Sequence, residues 1–444
     1  MRKYLLINSV AVALSIFILA RWFILIDKYS VNMLFLDQWD FMGGLFEQKG
    51  PWELFSWQHG PHRQGVGFFL TKLTADLSGW NTRIECFMIG TVICLAALTA
   101  LALKWRLAGN ITAFDLVIPL LYLSPLQFEL FANTPNVSHG AMPLLLITLF
   151  ALCWMIQNIP LRYTLCAAIN FMTLYTGFGI FIGCVTPLLF LSEFALAVKN
   201  NDSRRKRLAV VFFFISVASI ASFFLNYTFN SALEGFVFPH PHSFIYVKFI
   251  LIAFATFIGM RMSNIVLYFI AAPIIFYMLY VIFRSGKDIA TSVDDKEVPR
   301  NQIIIVLIIF TLIFSLNLAI GRACLGLGAA AASRYIPYMT PGFFALYLFT
   351  VTREKMPERV LLVCIALFFI TTISIGTSNT KYSTWLCEGK ERWKQAYLKT
   401  ENVERSTQLS GFIIHPKPHD TKLGWKLDYL KKNRLNLYLD APRQ

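Results

Sequence analysis

Residues Leu5–Ile26 read LLINSVAVALSIFILARWFILI, a single apolar run long enough to cross a hydrocarbon core about 30 Å thick. Arg21 is its only charge and lies near the far end, where a long side chain snorkels to the interface. Arg2 and Lys3 precede the run, as they would in a secretory leader, but no small-residue cleavage site follows it. The run therefore reads as a retained first helix with its N-terminus inside. Similar runs recur near 84–103, 112–130, 140–157, 208–228, 264–283, 302–320, 336–352 and 358–378. The stretch 163–198 reads as two shorter helices turning at Gly177-Phe178-Gly179. Backbone groups in lipid find no water, so each run has to be helical. The expectation is an all-α polytopic membrane protein of about eleven transmembrane helices. The short stretch 246–260, with Lys248 and Arg261 near its ends, reads as a candidate re-entrant or interfacial segment.

Composition agrees. Of the 444 residues 56% are hydrophobic and 15% charged, against about 25% charged in a soluble domain. The net charge of +15 does not mark a nucleic-acid binder, because the basic residues flank helices or lie in the C-terminal tail. Affinity for anionic phospholipid explains them. The eight cysteines lie mostly in apolar runs, with neither CxxC nor zinc spacing, so neither a disulfide framework nor a metal site is expected. The densest basic loop, Lys199–Arg207, is placed in the cytoplasm. Counting helices from it puts a large first loop, 27–83, outside, along with 321–335 and the tail. The chain then divides into a membrane unit, 1–378, and a small outward appendage, 379–444, too poor in apolar residues for a sizeable core of its own. Nothing in the sequence fixes the oligomeric state.

Charge is rare here, so where it gathers outside is informative. Asp37-Gln38-Trp39-Asp40 follows the first helix, with two carboxylates three residues apart. Either acid suits a general base acting on a hydroxyl, although a polar helix exit alone also favours Asp and Trp. His59-Gly60-Pro61-His62-Arg63 lies in the same loop, and its Arg fork suits phosphate. His59 and His62 have the spacing of helical metal ligands, but Gly60 and Pro61 break any helix between them. A third cluster runs from Gly321-Arg322 through glycines and alanines to Ser333-Arg334-Tyr335. Small residues there permit close approach, and two Arg at that depth call for an anion. The spacing fits neither a Walker A loop nor a dinucleotide fingerprint. Weaker candidates on the same side are Trp39, Glu129, Asn133, Asn136, His139, Glu234, His240 and His242. His415 and His419, in the tail, read as solvated loop residues.

These features resemble the GT-C class of polytopic glycosyltransferases, and within it the bacterial serotype-converting O-antigen glucosyltransferases of Gtr type. The likeness rests on the Asp37–Asp40 motif, the His59–Arg63 run, the turn at Thr176–Gly179, the Arg322…Ser333-Arg334-Tyr335 run and an outward tail. It implies transfer of a sugar, glucose in that family, from a polyprenyl-phosphate donor to O-antigen or another surface glycan. The reaction would occur with inversion, at the periplasmic face of the inner membrane. Asp37 or Asp40 would be the base. Arg63, Arg322 and Arg334, with His62 and Tyr335, would hold the lipid phosphate. Trp39, His59, Glu129, His139, Glu234 and His240 would contact substrate, with no cofactor or metal required. The rivals are a lipid-linked-sugar flippase and an O-antigen polymerase or ligase.

Overall fold

The computed structural model describes residues 2–133, 136–229, 235–260, 266–291, 297–353 and 381–439. Among these the chain is helical except for one two-residue hairpin, Gln58–His59 against His62–Arg63. Seven helical stretches among the described residues are long and apolar enough to cross a membrane: Asn8–Tyr29, Thr82–Ala108, Ala113–Leu130, Ile180–Lys199, Ser203–Phe223, Val266–Thr291 and Glu297–Leu325. The protein is thus an all-α, multi-pass membrane protein. The expected helix at 358–378 lies outside the described residues.

Two spans depart from their expected form. The run 112–130 is not one helix but three pieces, Ala113–Leu116, Val117–Tyr122 and Pro125–Leu130. Pro125 has no N–H to continue a helix, and the Ser124 hydroxyl accepts from Leu126 N instead. With 72% of its hydropathy window buried, this broken backbone is surrounded by protein and not by lipid. The helix expected at 208–228 runs over Ser203–Phe223. Asp202 caps it by accepting from Arg204 N and Arg205 N, which draws the basic residues into the first turns.

Contacts between loops sort the helix ends into two faces. At one face Lys199 Nζ donates to Ala290 O, and Lys104 meets Asp115 at 2.9 Å. At the other, Arg63 Nε donates to Phe223 O, Gly177 N donates to Arg63 O, and Ser138 donates to Gln64 O. Helix Val266–Thr291 has 26 residues, about 39 Å. Since Ala290 lies beside Lys199, its start is at the Arg63 face. The chain from Phe224 to Val266 therefore leaves and returns to that face. Helix Phe244–Phe257 within it has 14 residues, about 21 Å, shorter than a hydrocarbon core about 30 Å thick. It packs against 327–331 and stacks Phe257 on Phe343 at 3.9 Å.

The tail is not a separate appendage. Leu386, Trp393, Leu423, Leu427, Leu430 and Leu437 share one buried cluster with Met33, Leu34, Phe35, Trp39 and Phe46 of the first loop. Neither segment has a core alone, and each completes the other's. A helix over 381–400 brings Lys390 beneath the loop after Leu130, where its buried ammonium donates to Ala132 O and Asn133 O at 2.7 Å each. Burial pulls the Lys390 ammonium down to about 8. Replacing it by Met strands two carbonyls. Lys390→Met is therefore expected to lower stability by about 1–3 kcal/mol, read as a fall in Tm of the detergent-solubilised protein.

Candidate active site

The four residues Asp37–Asp40 are held one by one. They form a single turn, with Asp37 at the N-cap of the helix Gln38–Phe41. Gln38 is buried and donates to the Glu85 carboxylate at 2.9 Å, which Thr71 also approaches at 3.3 Å. Trp39 is fully buried and stacks on Phe46. Asp40 turns to the tail, where Lys426 Nζ lies 3.2 Å and His415 Nε2 3.5 Å from its carboxylate. The same ammonium donates to Trp39 O at 2.7 Å, and Leu36 N donates to Ile414 O. Burial would raise the Asp40 carboxyl, but His415 and Lys426 outweigh it and hold it below its ordinary value. Asp37 alone is exposed and makes no side-chain hydrogen bond or ion pair with a described residue.

The hairpin distributes its side chains by strand alternation. His59 pairs with His62 and Gln58 with Arg63, so the two imidazoles share one face and Arg63 takes the other. Arg63 is occupied there, donating to the carbonyls of Ser56, Phe223 and Leu225 beneath the rings of Tyr175, Phe223 and Tyr227. Two glycines let the hairpin approach the turn after Leu174. A Cβ on Gly65, at φ +52°, would lie 2.5 Å from Tyr175 O; one on Gly177, at φ +54°, would lie 2.5 Å from the Tyr338 hydroxyl.

A cavity of about 190 Å³ results, lined by Asp37, His59, His62, Glu129, His139, Arg322, Arg334 and Tyr335, with Gln38, Phe41, Pro61, Leu130 and Asn136 between them. Glu129 holds its wall together: its carboxylate accepts from the Ser333 hydroxyl at 2.9 Å and from Arg334 N at 3.1 Å. The Arg334 guanidinium lies over the Tyr335 ring, 5.3 Å from its centroid. Arg322 has no hydrogen-bond or ion-pair partner among the described residues. Burial pushes His139 down to about 3 and His62 well below its ordinary value, and neighbouring imidazoles and Arg322 add to both. His59 is lowered by burial, with Asp37 and Asp40 offsetting part of it. At neutral pH the cavity's positive charge therefore comes from Arg322 and Arg334. Such a site can take a proton at Asp37 and hold an anion at the two guanidinia.

Nine of the candidate residues, Asn136 among them, thus line one cavity, whereas Arg63, Asp40, Trp39 and His240 do not. Arg63 is excluded from it by strand parity, Asp40 by Lys426, and Trp39 by burial under the tail. His240 lies in the loop before Phe244, its backbone N–H donating to the Tyr246 hydroxyl. Glu234 lies outside the described residues. Among the described residues no group of three or more His, Cys, Asp or Glu side chains is placed to hold a metal ion. Sequence reasoning missed Lys426 and took His415 for a solvated residue, although it is buried. A signal for Lys426 exists: it falls on the apolar face of Leu423, Leu427 and Leu430 at helical spacing.

No protein-family model matches the chain, and no curated protein matches it. The chain is similar to a crystal structure of ArnT from Cupriavidus metallidurans bound to undecaprenyl phosphate, at 15% sequence identity and a TM-score of 0.42, over 96% of this chain and 77% of that one.

The neutral histidines make a pH dependence. The unfolded chain takes up these protons near pH 6.5, whereas folded His139 resists them down to about 3. Stability should therefore fall as pH drops through that window, because the unfolded state binds more protons. His139→Gln is expected to flatten the fall, and His62→Gln likewise, as measured by Tm against pH. An equally steep profile in both variants would count against neutral imidazoles.

Proposed function

We propose that the protein is an inverting glycosyltransferase that moves a sugar, glucose by family resemblance, from a polyprenyl-phosphate donor to O-antigen or another surface glycan. The membrane would be the bacterial inner membrane and the reacting face the periplasmic one. The observation that carries the proposal is the pairing, in one cavity at the helix ends, of a carboxylate, Asp37, and a guanidinium, Arg322, neither of which has a hydrogen-bond or ion-pair partner among the described residues. A protein does not leave both charges unmatched at a membrane surface for stability.

In this reading the acceptor hydroxyl gives its proton to Asp37 as its oxygen bonds to the anomeric carbon. The bond from that carbon to the phosphate oxygen breaks, and the phosphate leaves with the electron pair. Arg322 and Arg334 stabilise that charge as it develops. Attack opposite the leaving group inverts the centre. His59, His62, His139, Asn136 and Tyr335 offer neutral donors and acceptors to sugar hydroxyls. Glu129 acts through the Arg334 segment it holds. The lipid phosphate is already an activated leaving group, so the reaction needs neither nucleotide nor metal.

Asp37→Asn should lower kcat by about 10²–10⁴ with Tm unchanged, since the carboxylate has no bond to lose. Transfer at the normal rate would end the proposal, as would lipid-linked sugar crossing vesicles without a glycosidic bond being formed. Arg322→Gln and Arg334→Gln should each weaken binding of polyprenyl phosphate about tenfold, measured by titration in detergent. Lys426→Met should lower kcat through the displaced turn while leaving that affinity intact, and Lys426→Arg should recover part of the loss.

A further inference from the structure

The outer side of the hairpin borders a second and wider concavity of about 480 Å³, whose lining includes Lys49, Glu53, Trp57, Gly60, Asn226 and Thr228. Gly60, at the hairpin tip, borders both this groove and the cavity that holds Asp37. A Cβ built on Gly60 would meet nothing within 4 Å, so the way across the tip is open.

The walls of the groove are fixed by bonds that use the hairpin's outward side chains. Gln58 Nε2 donates to Thr228 O at 2.6 Å, and Thr228 N donates back to Gln58 Oε1 at 3.0 Å. Arg63 ties the hairpin to Phe223 and Leu225, and the Tyr227 hydroxyl donates to Pro61 O at 3.1 Å. A groove set in this way loses little order when a ligand enters. Of its charges, Lys49 lies 3.7 Å from Glu53, and the Arg63 guanidinium, also in the lining, is taken up by three backbone carbonyls. Left over are the exposed side-chain amide of Asn226 and the exposed hydroxyl of Thr228, neither with a side-chain hydrogen bond to a described residue, beside part of the Trp57 indole.

We propose that this groove binds the acceptor saccharide, carrying a run of sugar units while the reacting unit crosses Gly60 into the inner cavity. The proposal rests on the transferase reading and adds where the acceptor lies. Amides and hydroxyls both give and accept hydrogen bonds, as a sugar's hydroxyls require. The indole offers an apolar, electron-rich surface to the C–H bonds of a pyranose ring. The inner cavity, at about 190 Å³, is less than half the size of this groove.

Two variants test it without touching the cavity. Thr228→Trp fills the groove from a residue that serves the fold through its backbone, and Asn226→Ala removes the free amide. The probe is a set of oligosaccharide fragments released by mild acid from the surface polysaccharide of the source cells. Binding to the full-length protein in detergent is read by saturation-transfer NMR, with polyprenyl phosphate titrated in parallel. Thr228→Trp should weaken fragment binding at least about tenfold, and Asn226→Ala by a smaller factor. Polyprenyl-phosphate affinity should stay at its wild-type value in both. Fragment binding unchanged in both variants overturns the groove, and so does a wild-type protein that never binds fragments. Glycerol 3-phosphate displacing the fragments, as a lipid head group would, also overturns it. Wild-type protein that binds fragments through the groove yet forms no glycosidic bond upholds the groove and removes the transferase reading instead.

Discussion

The ammonium of Lys426 decides which of two acids faces the cavity. It reaches back from the tail to the Trp39 carbonyl and the Asp40 carboxylate. Asp40 is thereby committed to a cation, while Gln38 is committed to Glu85 on the other side of the turn. Two anchors on opposite sides fix the rotation of a four-residue helix that could not hold itself. Asp37, at its start, is what remains. The tail therefore helps to shape the cavity although none of its described residues lines it. It carries the anchor and completes the hydrophobic cluster on which the turn rests.

The two ends of the bundle treat charge differently, and the contrast is informative. At the end near Lys199, Glu193 is buried and matched by Arg162, Arg205, Gln302 and Tyr163, and Asp115 is matched by Lys104 and Tyr347. Every oxygen of these two carboxylates has a donor, as a buried ion pair requires if it is not to cost stability. At the other end Asp37 and Arg322 face open space in the same cavity. Satisfied networks hold helices together. Charge left free in the lining of a cavity is available to something that binds.

Much of this was legible in the sequence, and what was not had physical reasons. The helical runs, though not their exact ends, followed from hydropathy, and the cavity residues Asp37, His59, His62, Glu129, His139, Arg322 and Arg334 followed from the rarity of charge in such a chain. Arg63 misled because it is adjacent to His62, and adjacency in a strand means opposite faces. A hairpin of two-residue strands leaves no periodicity from which that parity can be read. Asp40 misled because its partners lie some 375 and 386 positions away in a tail read as solvated, and only folding brings them together. The break at Ser124-Pro125 was visible as a proline. It was overridden by hydropathy, which does not distinguish a helix in lipid from irregular backbone packed in protein.

The histidines bear on why the cavity uses arginine for its positive charge. His62 and His139 lie edge to face, 5.2 Å apart, and both are packed against Phe178. Rings so surrounded lose hydration if they protonate, and Arg322 lies close enough to oppose them further. In the proposed reaction, a proton on either ring would also place a mobile acid beside the departing phosphate. Neutral rings keep hydrogen-bonding capacity without adding charge, and guanidinia do not titrate at any pH the protein meets. The cavity's cationic character is then a matter of geometry: how far Arg322 and Arg334 stand from each other and from Asp37. Glu129 governs part of that geometry, because it holds the backbone of Arg334 and not its side chain. An acid that might have neutralised the guanidinium instead aims it.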